Sequence, residues 1–469
     1  MDLAGRSATE LADLVRRREV SAREVVQAHL ERVERVNGDL NAVVTLRAEE
    51  ALADADRIDA GGARDLPLAA VPFTVKDLIA TGGVRTTAGT PMLASWVPEL
   101  DATAVARLRG AGAILLGKTN CPEWGMFPYT RNTLFGETRN PVGPVTVGGS
   151  SGGEAASVAS GCSAFGVGTD FGGSLRWPAH CAGLLALRPT AGRIPGTGQL
   201  PTPSLDEPLI PNAVTLQGRI QVIGPLARSV DDLELAVRVM AGPDGLDPFA
   251  APAPMAPSEG AVISRVAVWK GPSWPAIRED VGAVLDDAAR ALEEGGLPVD
   301  LLEVAPTLER AVGLYSELRD TDRLQDVRRL TRGRREELGE DVRSAIAAAE
   351  DAERREPNPD RAVLWERRDR LRAGLLGYLG VHQVLLMAVA TVPPYPPEGP
   401  AVTVAGREQS MWDVLAPSRL ISLFGLPAAS VPFGRSADGL PIGVQVVGRP
   451  FREDEVLAVA RVLMEEVER

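Results

Sequence analysis

Lysine is nearly absent from this chain. Of 50 Lys and Arg residues only three are lysine, Lys76, Lys118 and Lys270; arginine fills every other position. Arginine keeps its proton in proteins, whereas a desolvated lysine can lose it. A lysine kept against that background is a candidate for work that arginine cannot do. Histidine is equally scarce. His29, His180 and His382 show no metal-ligand spacing and offer few routes to a Ser-His-Asp triad. The three cysteines, Cys121, Cys162 and Cys181, are odd in number and form no CxxC. They read as reduced, buried thiols of a cytoplasmic protein rather than a disulfide framework. No apolar run approaches the ~18 residues of a membrane-crossing helix. The opening residues, MDLAGRSATE, lack the basic and apolar regions of a secretory signal. Positive charge is also short: Asp and Glu number 63, and the net charge is −13. That balance argues against a partner bound through a phosphate backbone.

What is present is ordinary for a globular protein, with 45% apolar and 24% charged residues. Two helices are expected at the N-terminus, because Ser7–Glu10 and Ser21–Glu24 both fit the capping box. His29 falls on the apolar stripe of the second and reads as a packing residue. Short strands are expected at 40–46, 69–75, 113–116 and 165–168, with helices at 102–109 and 154–160. This alternation argues for an α/β sheet with helices on its faces. Residues 245–263 are rich in Pro and Ala and read as a loop, and 264–270 as a strand. Residues 303–376 are charge-rich and helical in pattern, a solvated subdomain able to roof a site. A buried strand at 383–392, a loop from Pro393 to Pro400, strands over 427–450 and a helix from Glu453 to Glu466 complete the reading.

Three segments could carry chemistry. Gly148–Gly153 (GGSSGG) precedes a helix, Gly168–Ser174 (GTDFGGS) follows a strand, and Lys76 ends the strand of VPFTVKD. Glycines beside serine allow tight turns and close approach of a ligand to the backbone. Successive amides pointing one way form a nest for negative charge, which an oxyanion hole requires. Serine needs a base, and with so few histidines a buried lysine is the remaining choice, a second serine relaying the proton. Gly149–Gly153 (GSSGG) also satisfies G-x-S-x-G, the nucleophile elbow of α/β-hydrolases, with Ser151 as nucleophile and His180 or His382 as base.

These segments, GGSSGG, GTDFGGSLRWPA and VPFTVKD, resemble the amidase signature family of serine hydrolases. The spacings agree, 74 residues from Lys76 to Ser150 and 24 from Ser150 to Ser174. So do ATGGVRTTAGT (80–90), DATAVARLRGAGAILLGKTN (101–120), FGETRNP (135–141), GPLARSVDDLELAVRVMAG (224–242) and GLPAASVPFG (425–434). The resemblance implies an α/β/α layered fold with a central mixed sheet flanked by helices, plus a helical insert. It implies one domain over 1–469, with a core of about 1–245 and 385–469 and a variable, largely helical region of about 264–385. It implies a Ser–cis-Ser–Lys triad of Ser174 as nucleophile, Ser150 as relay and Lys76 as base. The amides of Phe171, Gly172, Gly173 and Ser174 would form the oxyanion hole. Ser151, Asp170 and Arg176 would support the site, and Lys118 would be structural. Met126, Phe127 and Trp177 suggest an apolar or aromatic substrate pocket, and 303–415 the region that sets specificity. The implied activity is hydrolysis of a carboxamide C–N bond through an acyl-serine, without metal or organic cofactor. The expected partner is a small-molecule amide, with no nucleic acid and no membrane, and a homodimer is left open. Within the same family stands a rival, the amidase subunit of a tRNA-dependent amidotransferase. Against it, Trp177 replaces the glutamine of GGSIRQPA, and no SSLDQIGP-like run follows Thr190. The cysteine of the family's PAxxCG is displaced to Cys181, Arg188 replaces a lysine and Leu175 an isoleucine.

Overall fold

Both N-terminal helices form as their caps dictate. In Ala8–Arg16 and Ala22–Leu40, the Ser7 and Ser21 hydroxyls accept from the amides of Glu10 and Glu24, whose carboxylates accept in return from the serine amides. His29 is buried, its Nδ1 2.9 Å from the Val25 carbonyl. The computed structural model describes residues 2–61, 63–302, 306–357, 360–397 and 402–468. Residues 398–400 of the expected loop, and the start of the expected helical stretch at 303–305, lie outside them.

An eleven-stranded mixed sheet forms the centre, with helices on both faces. Its strands are β1 (Val43–Leu46), β2 (Pro72–Lys76), β3 (Ile114–Thr119), β4 (Phe165–Asp170), β5 (Leu185–Arg188), β6 (Val222–Ala227), β7 (Val266–Trp269), β8 (Val299–Leu302), β9 (Val384–Ala388), β10 (Ala428–Arg435) and β11 (Pro441–Gly448). Their spatial order is β1-β3-β2-β4-β6-β5-β10-β11-β9-β7-β8. β2 runs parallel to both β3 and β4, so the C-terminal ends of these three strands come together. The remaining pairs are antiparallel, except at the far edge, where β7 is parallel to β8 and β9. The 264–302 stretch thus adds two strands to the sheet. The helical excursion proper runs from Pro306 to His382.

Strand periodicity decides which residues reach the site. Phe73 and Val75 of β2 enter the main core, where Phe73 stacks on Phe165 with ring centroids 5.5 Å apart. Thr74 and Lys76 alternate to the opposite face, yet are equally buried. No helix among the described residues is long and apolar enough to cross a membrane.

Candidate active site

Lys76 ends β2, fully buried. Its Nζ lies 2.6 Å from Ser150 Oγ and 2.8 Å from Thr169 Oγ1. No carboxylate among the described residues is bonded to it, and burial lowers its pKa from 10.5 to about 8. Ser150 sits in the turn before the helix Gly152–Ala159, and the Gly149–Ser150 peptide is cis. Gly149 has no substitute here: a Cβ would lie 2.5–2.7 Å from the Tyr129 backbone. Ser174 follows β4 in the Phe171–Ser174 turn, and its carbonyl accepts from the Ser151 amide at 3.2 Å. Ser150, Thr169 and Ser174 open onto one cavity of about 430 Å³.

The turn that presents Ser174 is held by Asp170. The Asp170 carboxylate accepts from the amides of Gly173 (2.8 Å) and Leu175 (3.2 Å), and from Arg176 Nε (3.0 Å) and Nη2 (2.9 Å). Burial alone would raise its pKa; the Arg176 and Arg188 guanidiniums outweigh that and hold it well below the carboxylate range. Arg176 has five N–H donors. All five are taken, by Asp170 twice, the Ser418 carbonyl, Gln445 Oε1 and Ser422 Oγ. Arg176 is therefore a brace for Asp170, with no donor left for a substrate. Ser151 supports the neighbouring strand, its Oγ donating to the Thr169 carbonyl at 3.2 Å.

Two expectations need correction. The Gly173 N–H is occupied by Asp170, so of the four expected oxyanion donors only Phe171, Gly172 and Ser174 find no acceptor among the described residues. Trp177 does not line the cavity. The helix Arg176–Ala182 is buried all round, and the indole packs behind the site against His180 (5.4 Å between centroids) and donates to the Pro128 carbonyl at 3.0 Å. Met126 and Phe127 do line the cavity, with Leu78, Trp124 and Phe171.

Other candidate residues lie apart. His180 is buried against the Gly443 amide and the Val392 carbonyl, and His382 meets Asp300 at 3.2 Å. Neither is bonded to Ser151, so the nucleophile-elbow reading has no base. Lys118 is buried on the carbonyl of Ile79 and the hydroxyls of Thr81 and Thr86, and Lys270 pairs with Asp286 at the surface. Thr169 was legible only as a motif neighbour of Asp170. Tyr315, Leu324, Val327 and the alanines of Glu340–Arg355 carried no motif signal, yet they roof the cavity.

Comparison with known proteins places this arrangement in a class. A family profile described as Amidase matches residues 24–457. The chain belongs to that family, the amidase-signature enzymes, and is a hydrolase of amide C–N bonds. It is 34% identical over 467 residues to an indoleacetamide hydrolase of Bradyrhizobium diazoefficiens, covering 97% of this chain and 85% of that protein. It is also 34% identical to a glutamyl-tRNA(Gln) amidotransferase subunit of Moorella thermoacetica, covering 98% of this chain and 96% of that protein. The solved structure of 6-aminohexanoate cyclic dimer hydrolase superposes with a TM-score of 0.85 at 29% identity, covering 100% of this chain and 98% of that one.

Proposed function

We propose that this protein is a self-sufficient amidase that cleaves a carboxamide bearing an apolar or aromatic arm, by way of an acyl-Ser174 intermediate. The observation that carries this reading is the 2.6 Å contact of buried Lys76 with Ser150, beside Ser174 in one cavity. Neutral Lys76 accepts the Ser150 proton as Ser150 takes that of Ser174. Ser174 Oγ then bonds to the substrate carbonyl carbon, and the amides of Phe171, Gly172 and Ser174 receive the oxyanion. As the C–N bond breaks, the relay returns the proton to the leaving nitrogen, which departs as ammonia or an amine. Water attacks the acyl-enzyme, gives its proton to the same relay and releases the carboxylic acid with Ser174 restored.

The apolar arm is supported by the wall that Leu78, Trp124, Met126, Phe127, Leu324 and Val327 build on one side of the cavity. Ala345, Ala348, Ala349 and Ala352, on one side of the helix Glu340–Arg355, leave that end wide. The buried, unpaired thiols of Cys121, Cys162 and Cys181 fit a reducing compartment such as the cytoplasm. A second reading, an amidotransferase subunit that needs partner chains, draws on the equal identity to the Moorella protein.

Both readings meet one test. The purified chain is given aliphatic, aromatic and peptide amides, anilides and hydrazides, with Ser174→Ala as control. Release of ammonia or amine that the substitution removes supports the self-sufficient amidase. Silence across the panel refutes it in favour of the partner-dependent reading.

A further inference from the structure

Among the buried ionisable groups that the triad does not use, Glu154 lies in the layer behind it. Glu154 lies on the helix Gly152–Ala159, four residues beyond Ser150, and is fully buried. Its two oxygens accept from Thr74 Oγ1 at 2.7 Å and Thr119 Oγ1 at 2.6 Å. Thr74 shares a face of β2 with Lys76, and Thr119 is the register partner of Lys76 on β3. Beneath the carboxylate, β4 carries Gly166, where a Cβ would come within 2.0 Å of Glu154 Oε2. Hydroxyls of Ser157 and Ser163 close the pocket around Thr74. No ion pair among the described residues reaches Glu154. A carboxylate has thus been built into the strand–helix layer behind the site with hydroxyl donors and, among the described residues, no cation in contact.

We infer that Glu154 is a positioning residue that sets the pH at which Lys76 becomes available as base, an inference that rests on the proposed triad. The coupling between the two groups is electrostatic. An ionised Glu154 favours the ammonium form of Lys76 and opposes its loss of a proton; a neutral Glu154 does not. Burial raises Glu154 to about 7, against the Thr119 and Thr74 hydroxyls and the charges of Lys118 and Lys76, which lower it. Burial lowers Lys76 to about 8, and the charges that pull it back up are those of Cys121, Asp170 and Glu154. The other ionisable neighbours in this layer are Asp77 after β2 and Lys118 on β3, each fully buried. Of the three that act upward on Lys76, the Cys121 thiol is itself pushed up to about 12 by burial and stays neutral. Asp170 is already neutralised by two guanidiniums. Glu154 is the carboxylate left without a cation in contact.

Glu154→Gln tests this, because it keeps the shape: the amide oxygen can accept from one threonine while the amide nitrogen donates to the other. The readout is the rate at which a fluorophosphonate labels Ser174, measured from about pH 5 to about pH 10 beside amide turnover. In Glu154→Gln the acid limb of both profiles is expected to move down by about one pH unit. Thr74→Val removes one hydroxyl donor from the carboxylate, favours its protonated form and is expected to move the limb the same way. It provides the second arm if Glu154→Gln folds poorly. Wild-type labelling with an unmoved limb in the folded variants overturns the role of Glu154 alone. Absence of Ser174-dependent labelling in the wild type overturns the triad, and this inference with it.

Discussion

The state of Lys76 makes the sharpest test of the proposed chemistry. A lysine in water, at 10.5, is neutral in about three molecules per ten thousand at pH 7. Burial lowers Lys76 to about 8, so about one in ten is neutral at pH 7, a gain of about 300-fold in available base. The rate with a neutral amide should therefore rise about tenfold per pH unit below 8 and level off above it. Lys76→Arg keeps the positive charge and cannot supply a base. Its larger head must also enter a buried space where Nζ already sits 2.6 Å and 2.8 Å from two hydroxyls. Turnover should fall by about 10³-fold or more, close to the loss in Lys76→Ala. The assay is steady-state release of ammonia or amine across pH, with near-ultraviolet circular dichroism to confirm that each variant is folded. A flat profile between about pH 6 and about pH 9, or ordinary turnover in a folded Lys76→Arg, would refute the assignment of Lys76 as base.

Four further outcomes are expected. Ser174→Ala should abolish both turnover and fluorophosphonate labelling; persistence of either removes the nucleophile assignment. Ala349→Phe, placed on the alanine side of the cavity, should lower kcat/KM for aryl amides at least about tenfold while sparing acetamide-sized substrates; equal effects on both would sink the apolar-arm reading. Asp170→Asn leaves Arg176 and Arg188 buried without their counter-charge and should cost about 3–5 kcal/mol in urea unfolding. A midpoint unchanged from wild type would contradict that. Acid stability follows from His29 and His180, each lowered by burial from 6.5 to about 4. Their unfolded forms bind protons first, so stability is full above about pH 6.5 and is lost as pH falls towards 4, by up to about 3 kcal/mol for each histidine. Removing both by His29→Gln and His180→Gln should flatten the pH dependence of the melting temperature, and an unaltered slope would exclude them as its cause.

Much of the site was legible because its chemistry depends on local turns. Glycines at 148, 149, 172 and 173 have to flank Ser150 and Ser174 whatever the rest of the fold does, and a rare lysine at a strand end stands out from a background of arginine. Capping boxes fixed the starts of the first two helices for the same reason, since the groups that satisfy the end amides are three residues apart. Trp177 shows the limit. Its position beside the nucleophile turn suggested a pocket, but which way an indole faces depends on the helices around it. The Gly173 amide shows it too: a nest of four amides became three only because Asp170 folds back onto its own turn.

Sequence by itself therefore determined the kind of chemistry, the candidate residues for it and the alternation of strands and helices that carries them. Tertiary structure alone decided what surrounds them. The burial that moves Lys76 towards neutrality comes from β2, β3 and β4 meeting at their C-terminal ends, residues far apart along the chain. The roof of the cavity comes from a region with no motif, because a substrate wall needs only shape and polarity, and many sequences supply those. Glu154 reads as one more helix residue until the sheet sets two threonine hydroxyls against it. Local geometry is written in neighbouring residues, whereas burial and long-range charge are properties of the packed chain.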